Sequence, residues 1–196
     1  AGEYAARAAL GLGATVKIFD NSIKKLMDIQ NILGQRLFTS IYHKQVLDKV
    51  LKTADVVIGT LAPDETNLSY LVSEDQVRLM KRGAVIIDLG IDRGGCFETS
   101  EIRDHSNPSY VKHGVIHYCV PNITARVART ASIAMSNVFV PLMLQIAQSG
   151  GLLSQLKEDS GLRHGVYLFN GILTNEYLGK LYDIPSRDIN LLMAAF

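Results

Sequence analysis

The chain has 196 residues, 47% hydrophobic and 20% charged, a composition that fits a globular fold with one sizeable core, or one domain plus an appendage, and excludes a disordered tail. Twenty basic against nineteen acidic residues leave a formal charge of +1, with no basic stripe or interleaved aromatic run, so nucleic acid is not expected as a main partner. Apolar stretches read as broken by charge or Gly within roughly ten residues, short of the roughly 20 that span a bilayer, so no membrane partner is expected.

In chain order, residues 5–10 favour a helix that Gly11-Leu12-Gly13 stops, and residues 14–19 (ATVKIF) read as a strand. Asp20, Asn21 and Ser22 then offer N-caps for a helix over 23–32. Residues 36–40 read as a short strand, and 43–52 as a helix with Val46, Leu47, Val50 and Leu51 on one face. Residues 55–59 (DVVIG) form a buried strand, and Ser73-x-x-Gln76 opens a helix with a capping box that Gly83 closes. The apolar run from Ala84 is too short for a typical helix and rich in Val and Ile, as in a buried parallel strand. Strands alternating with such helices predict βαβ units, a doubly wound parallel α/β sheet and right-handed crossovers.

Beyond Ser100 the texture changes. Residues 103–108 read as a polar loop, 115–120 (VIHYCV) as a strand, and 126–148 as a long helix that Pro141 should kink or break. From Gly150 the alternation is gone, with a short helix over 174–182 and an apolar tail over 188–196. Cys96 and Cys119 lack a C-x-x-C spacing and are expected as reduced, buried thiols, which points to a cytoplasmic setting. His113 and His117 would share one face of an extended segment, yet two ligands do not make a metal site, and none is expected.

The chemistry concentrates where strands end, because ligands of open α/β sheets sit outside the carboxyl ends of the strands. Residues 84–100 (AVIIDLGIDRGGCFETS) leave a strand through Asp88, Asp92 and Gly94-Gly95. Asp92, just past the strand in a partly desolvated crevice, is the acid/base candidate. Asp88, within the strand, is the poorer one, since neighbours on a strand alternate faces. Gly2 at the head of a helix fits the third glycine of a G-x-G-x-x-G fingerprint. Asp20, 18 residues later at a strand end, fits the carboxylate that binds the adenosine ribose and repels a 2′-phosphate, favouring NAD over NADP. Lys25 could add a donor there, and Pro121-Asn122-Ile123-Thr124 forms a turn whose amide could bind a carboxamide or ribose.

The segments GEYAARAALGLGATVKIFDNSIKKL, ADVVIGT, AVIIDLGIDRGGCFETS, NPSYVKHGVIHYCVPNI and ARTASIAMSNVFVPLML resemble the NAD-binding half and C-terminal return of the alanine dehydrogenases, in the alanine dehydrogenase and transhydrogenase superfamily. That resemblance implies a Rossmann domain lacking its first strand over residues 1–125, an inter-domain helix over 126–149, and a return segment of the catalytic domain over 150–196. It also implies a homo-hexamer and the reversible conversion of L-alanine, NAD and water to pyruvate, NADH and ammonium. By position, Asp20 and Lys25 would meet the adenosine ribose, Tyr42 the adenine end, and Leu61 and Ala62 the cofactor cleft. Leu89, Gly90, Ile91 and Asp92 would lie along the nicotinamide ribose, with Val120, Pro121, Asn122 and Ile123 closing the nicotinamide side. The loop TLAPDETNLSYL departs from relatives, which typically carry a proline- and glycine-containing loop followed by a basic or small residue. The family's substrate-binding Arg and catalytic Lys and His, in the N-terminal catalytic portion, have no counterpart here, so the chain is expected to be incompetent alone. A transhydrogenase NAD-binding subunit and a non-catalytic NAD-binding module are the alternatives, and the CFETS continuation favours alanine dehydrogenase.

Overall fold

The computed structural model describes residues 1–61 and 70–194, so the Ala62 assignment lies outside the described residues. The chain divides into two compact units, Ala1–Ile123 and Thr124–Phe196.

The first unit contains α1 (Gly2–Gly11), β1 (Lys17–Phe19), α2 (Ile23–Leu33), β2 (Phe38–Ser40), α3 (Lys44–Leu51), β3 (Val56–Gly59), α4 (Glu74–Val77), β4 (Val85–Asp88), β5 (Ser109–Lys112) and β6 (Val115–Tyr118). The expected α/β alternation is present, and β1 and β2 pair in parallel, as do β3 with β4 and β4 with β6. The sheet is nevertheless in two pieces, β1-β2 and β3-β4-β6-β5, and among the described residues nothing pairs with the outer edges of β1 and β3. In a Rossmann sheet the first strand lies between the two strands that flank this gap.

Several elements differ from the sequence reading. The helix opened by Ser73 has its capping box, but it is a single turn that ends at Val77 rather than at Gly83. β5 was not expected. It runs antiparallel to β6 through the turn His113-Gly114, whose φ values of 55° and 78° suit the two-residue hairpin turns that follow right-handed strand twist. His113 therefore sits in the turn, paired to Glu74 at 2.6 Å, while His117 is fully buried in β6, so the two do not share a face.

Packing follows the periodicity. Leu47 and Leu51, one turn apart on α3, enter a core with Val72, Val77, Met80, Ala84, Ile86, Cys96, Phe97 and Val115, and Phe19, Tyr42 and Val57 pack against it. Both pieces of the sheet thus rest on one core. Cys96 and Cys119 are free thiols, both buried.

The second unit holds α5 (Ala128–Gln148), α6 (Leu152–Glu158), α7 (Ser160–His164), the hairpin β7 (Leu168–Phe169) and β8 (Ile172–Leu173), α8 (Glu176–Tyr182) and α9 (Ile189–Ala194). Pro141 lies inside α5 without ending it. The expectation of short apolar runs fails here. No charged residue stands between Arg129 and Lys157, and the helical stretch Ile123–Gln148, an 18-residue window of which has a mean hydropathy of 1.5, is by length and composition long and apolar enough to cross a membrane. Its Ser, Thr, Asn and Gln residues break the apolar pattern without carrying charge.

Candidate functional site

The site is built from strand ends. β3 and β4 finish level, with Gly59 opposite Asp88, and the chain leaves β4 through a loop folded around the Asp88 carboxylate. That carboxylate is 1% exposed and accepts three hydrogen bonds: Oδ1 from the Gly90 N–H at 3.0 Å, Oδ2 from the Cys96 N–H at 2.7 Å and from the Ser100 hydroxyl at 2.6 Å. A buried carboxylate requires this degree of solvation by donors. The glycines here leave room for it. A Cβ on Gly95, whose φ is +84°, would lie 3.0 Å from Asp88 Oδ2, and one on Gly90 would lie 2.8 Å from the Leu61 carbonyl oxygen.

Leu89, Gly90, Ile91 and Asp92 occupy the start of this loop. The Leu89 N–H donates to the Gly59 carbonyl at 2.8 Å, Gly90 and Ile91 are buried, and Ile91–Arg93 forms one tight helical turn. Asp92 stands on that turn and is exposed, so the partial desolvation expected of it is absent in this chain. The ranking of the two aspartates changes accordingly. Asp88 organises the loop, and Asp92 is displayed by it. Val120, Pro121, Asn122 and Ile123 leave β6, the parallel neighbour of β4, at the same carboxyl edge; Val120 is buried, and Asn122 has a φ of 53°.

At the other piece of the sheet, Asp20 ends β1. Its Oδ1 accepts the Ser22 N–H at 2.8 Å, and Ser22 rather than Asp20 caps α2 by accepting the Lys25 N–H. Tyr42 follows β2, with its ring 6.1 Å from that of Phe19. Burial, then the neighbouring Cys96 and Asp20, push its hydroxyl up to about 12, so it stays a neutral donor. Gly2 opens α1 against the end of β3, where a Cβ would come within 2.9 Å of the Thr60 hydroxyl. Gly2, Asp20, Lys25, Tyr42 and Leu61 all line one cavity of about 1060 Å³, whereas Leu89, Gly90, Ile91, Asp92 and the turn after β6 lie outside it.

Cys96 joins the two regions. It lines the same cavity, its N–H is bound by Asp88, and its thiol donates to the Leu61 carbonyl at 3.0 Å. Burial, then Asp88, push that thiol up to about 12, so it is a packed donor rather than a nucleophile. Behind the loop, His117 Nδ1–H donates to the Val115 carbonyl at 3.0 Å and Nε2 lies 2.8 Å from the Thr99 hydroxyl, which donates to it when the ring is neutral, the form that burial favours. Sequence reasoning ranked Asp88 below Asp92, read Cys96 only as a buried thiol, and did not single out Ser100 or the Thr99–His117 pair. The available signal was a carboxylate inside an apolar strand that no turn or cap explains.

The profile of the alanine dehydrogenase/PNT C-terminal domain matches residues 1–176. The chain is 39% identical over 190 residues to an alanine dehydrogenase of Staphylococcus saprophyticus, which covers 96% of this chain and 51% of that protein. It is 36% identical, with the same coverage, to alanine dehydrogenase 2 of Staphylococcus aureus. Among solved structures, an L-alanine dehydrogenase superposes with a TM-score of 0.79 at 31% identity, over 94% of this chain and 51% of the other. A transhydrogenase from Sinorhizobium meliloti superposes at 0.60 with 25% identity, over 72% and 40%. The chain spans about half the length of the curated relatives it matches. With nine-tenths of its residues inside the matched region, the chain belongs to the alanine dehydrogenase/PNT C-terminal domain family.

Proposed function

We propose that these residues are the NAD-binding C-terminal portion of an L-alanine dehydrogenase, which deaminates L-alanine oxidatively to pyruvate and ammonium, and that alone they lack the catalytic half. The observation that carries this reading is the line of candidate groups along the carboxyl edges of neighbouring parallel strands. Asp20, Lys25 and Tyr42 stand at one end, and the Asp88-held loop bearing Leu89, Gly90, Ile91 and Asp92 at the other.

The residues fit a dinucleotide. Gly2 lets the first turn of α1 pack closely against Thr60 at the end of β3, the role of the third glycine in a dinucleotide fingerprint, whose helix N-terminus would hold the pyrophosphate. The Asp20 carboxylate accepts ribose hydroxyls and repels a 2′-phosphate, which favours NAD. When bound, NAD supplies the hydride acceptor. Leu89, Gly90 and Ile91 give the nicotinamide end a rigid floor, Val120, Pro121, Asn122 and Ile123 close its other side, and the Asp92 carboxylate exchanges a proton at the rim. The substrate-binding Arg and catalytic Lys and His of the family belong to a second portion outside these residues. A homo-hexamer in the cytoplasm is the assembly this reading carries with it.

The likeness to a transhydrogenase favours a second reading, an NAD-binding subunit that deaminates nothing. NADH formation from L-alanine and NAD, measured by absorbance with this chain and with a longer protein that contains it, separates the two. Turnover by the longer protein and none by the chain is expected. A longer protein that binds NADH but ignores L-alanine would overturn the dehydrogenase reading.

A further inference from the structure

The Asp88 carboxylate has three donors, and two of them, the Gly90 and Cys96 N–H groups, belong to the loop it holds. The third, the Ser100 hydroxyl at 2.6 Å, stands beyond that loop and ties it to the rest of the fold. A hydroxyl is aimed at its acceptor only if the backbone beneath it is fixed. Three hydrogen bonds fix it here. The Ser100 N–H donates to the Phe97 carbonyl at 3.0 Å, and the Tyr110 hydroxyl binds the peptide groups on both sides of Ser100, donating to the Thr99 carbonyl at 2.8 Å and accepting the Glu101 N–H at 2.7 Å. One phenol oxygen thus constrains both backbone dihedrals of the residue that anchors the loop.

Tyr110 is itself held in place. It lies opposite His117 in the β5–β6 ladder, the two rings stack with centroids 4.9 Å apart, and the Arg103 guanidinium lies 4.7 Å from the phenol centroid. His117 in turn meets the Thr99 hydroxyl at 2.8 Å, so both members of this cross-strand pair reach the segment that carries Ser100. The fully buried Cys119 thiol lies 3.6 Å from the Ser100 hydroxyl and 3.6 Å from that of Tyr110. Burial, then the bond to Cys119, holds the Tyr110 hydroxyl above its ordinary range, so it stays a donor.

We infer that Tyr110 is a positioning residue for the cofactor loop: its hydroxyl fixes Ser100, Ser100 fixes the Asp88 carboxylate, and that carboxylate sets the floor formed by Leu89, Gly90 and Ile91, a role that rests on the proposed placement of the nicotinamide end at this loop. The adenosine end stands on α2 and on the segments after β1 and β2, which this chain of hydrogen bonds does not touch. Loss of the Tyr110 hydroxyl therefore loosens the nicotinamide ring and leaves the dinucleotide bound.

The test compares the parent with Y110F, which keeps the ring and loses the hydroxyl, with S100A, and with the double variant. Amide hydrogen exchange in the whole chain reads the loop. Y110F and S100A are each expected to speed Gly90 and Cys96 roughly tenfold while Ile86 and Ile87 in β4 keep the parent's rate, and the double variant is expected to be no faster than S100A. NADH titrated into a longer protein that contains the chain reads the consequence. Y110F is expected to bind it within about twofold of the parent, with lower fluorescence anisotropy of the bound nicotinamide, a local mobility that lost overall stability does not imitate. Parent-like exchange at Gly90 and Cys96 in Y110F, multiplied effects in the double variant, equal acceleration at Ile86 and Ile87, or parent-like anisotropy in Y110F would each overturn the inference. A parent that binds no NADH would instead overturn the NAD reading, and the positioning role with it.

Discussion

The Cys96 N–H donates to Asp88 Oδ2 at 2.7 Å, closing an eight-residue loop on a carboxylate that is 1% exposed. Gly90 and Ser100 donate to the same group, so its two oxygens hold both ends of the segment that presents Asp92. Replacing Asp88 by Asn keeps the volume but turns an amide NH₂ toward backbone or hydroxyl donors on one side. Hydrogen bonds to a charged group are worth about 1.5–3 kcal/mol, and D88N should lower unfolding stability by that order. Urea denaturation reads the loss, and amide exchange at Gly90 and Cys96 should accelerate with it. An unchanged midpoint would show that the loop holds itself.

Two glycines should respond to the same substitution with opposite sign. A Cβ on Gly59 would lie 2.7 Å from the Phe97 ring and 2.8 Å from Cys96 Cβ, both in the core, so Gly59→Ala overpacks and should cost about 1–3 kcal/mol. Gly11, at the end of α1, has nothing within 4 Å of its added Cβ and no positive φ, so Gly11→Ala should stabilise by about 0.5–1 kcal/mol through helix propensity. Thermal melts of the two variants should move apart.

Much of this was legible in the sequence, for a physical reason. β1, β3 and β4 are runs whose apolar content announces them, although only β4 is buried or half-buried throughout and Val56 and Ile58 of β3, expected as a buried strand, are exposed; Leu47 and Leu51 sit one turn apart, as a packed helix face requires. β5 was not legible, because an edge strand with only Tyr110 and Val111 between Ser109 and Lys112 carries almost no period. The partial desolvation expected of Asp92 is absent in this chain because a position after a strand does not specify depth. The loop bends back on Asp88, which buries Ile91 and leaves the next side chain on the rim. Long-range pairs such as Thr99 with His117 leave no trace in local pattern.

Stability should depend on pH through His117. Burial, the largest cause, holds its pKa below the ordinary 6.5, and the ring is neutral in the fold with both nitrogens engaged. The unfolded chain therefore binds a proton more readily than the folded one, so stability is full above about pH 6.5 and falls as the pH drops below it toward the depressed folded value. Denaturant midpoints measured from pH 8 to pH 5 should decline over the acid half of that range, and His117→Gln should flatten the decline even if it lowers the plateau. A flat profile in the parent chain would contradict the assignment.

Asp20 has two duties that one substitution can separate. Its Oδ1 accepts the Ser22 N–H in a turn that leads into α2, and in the proposed function its charge selects NAD over NADP. Asn keeps an acceptor oxygen at the same place, and Asn and Asp serve comparably in such turns, so D20N should leave the melting temperature of this chain nearly unchanged. The charge is gone, however, and with it the repulsion of a 2′-phosphate. In a longer active protein, D20N should raise KM for NAD and narrow the preference for NAD over NADP by roughly tenfold or more, one tenfold step corresponding to about 1.4 kcal/mol. Initial rates with the two cofactors read the ratio directly. If D20N melts like the parent and keeps the parent's cofactor preference, Asp20 is a turn residue only, and the ribose contact must be assigned elsewhere on the carboxyl edge of β1 or β2.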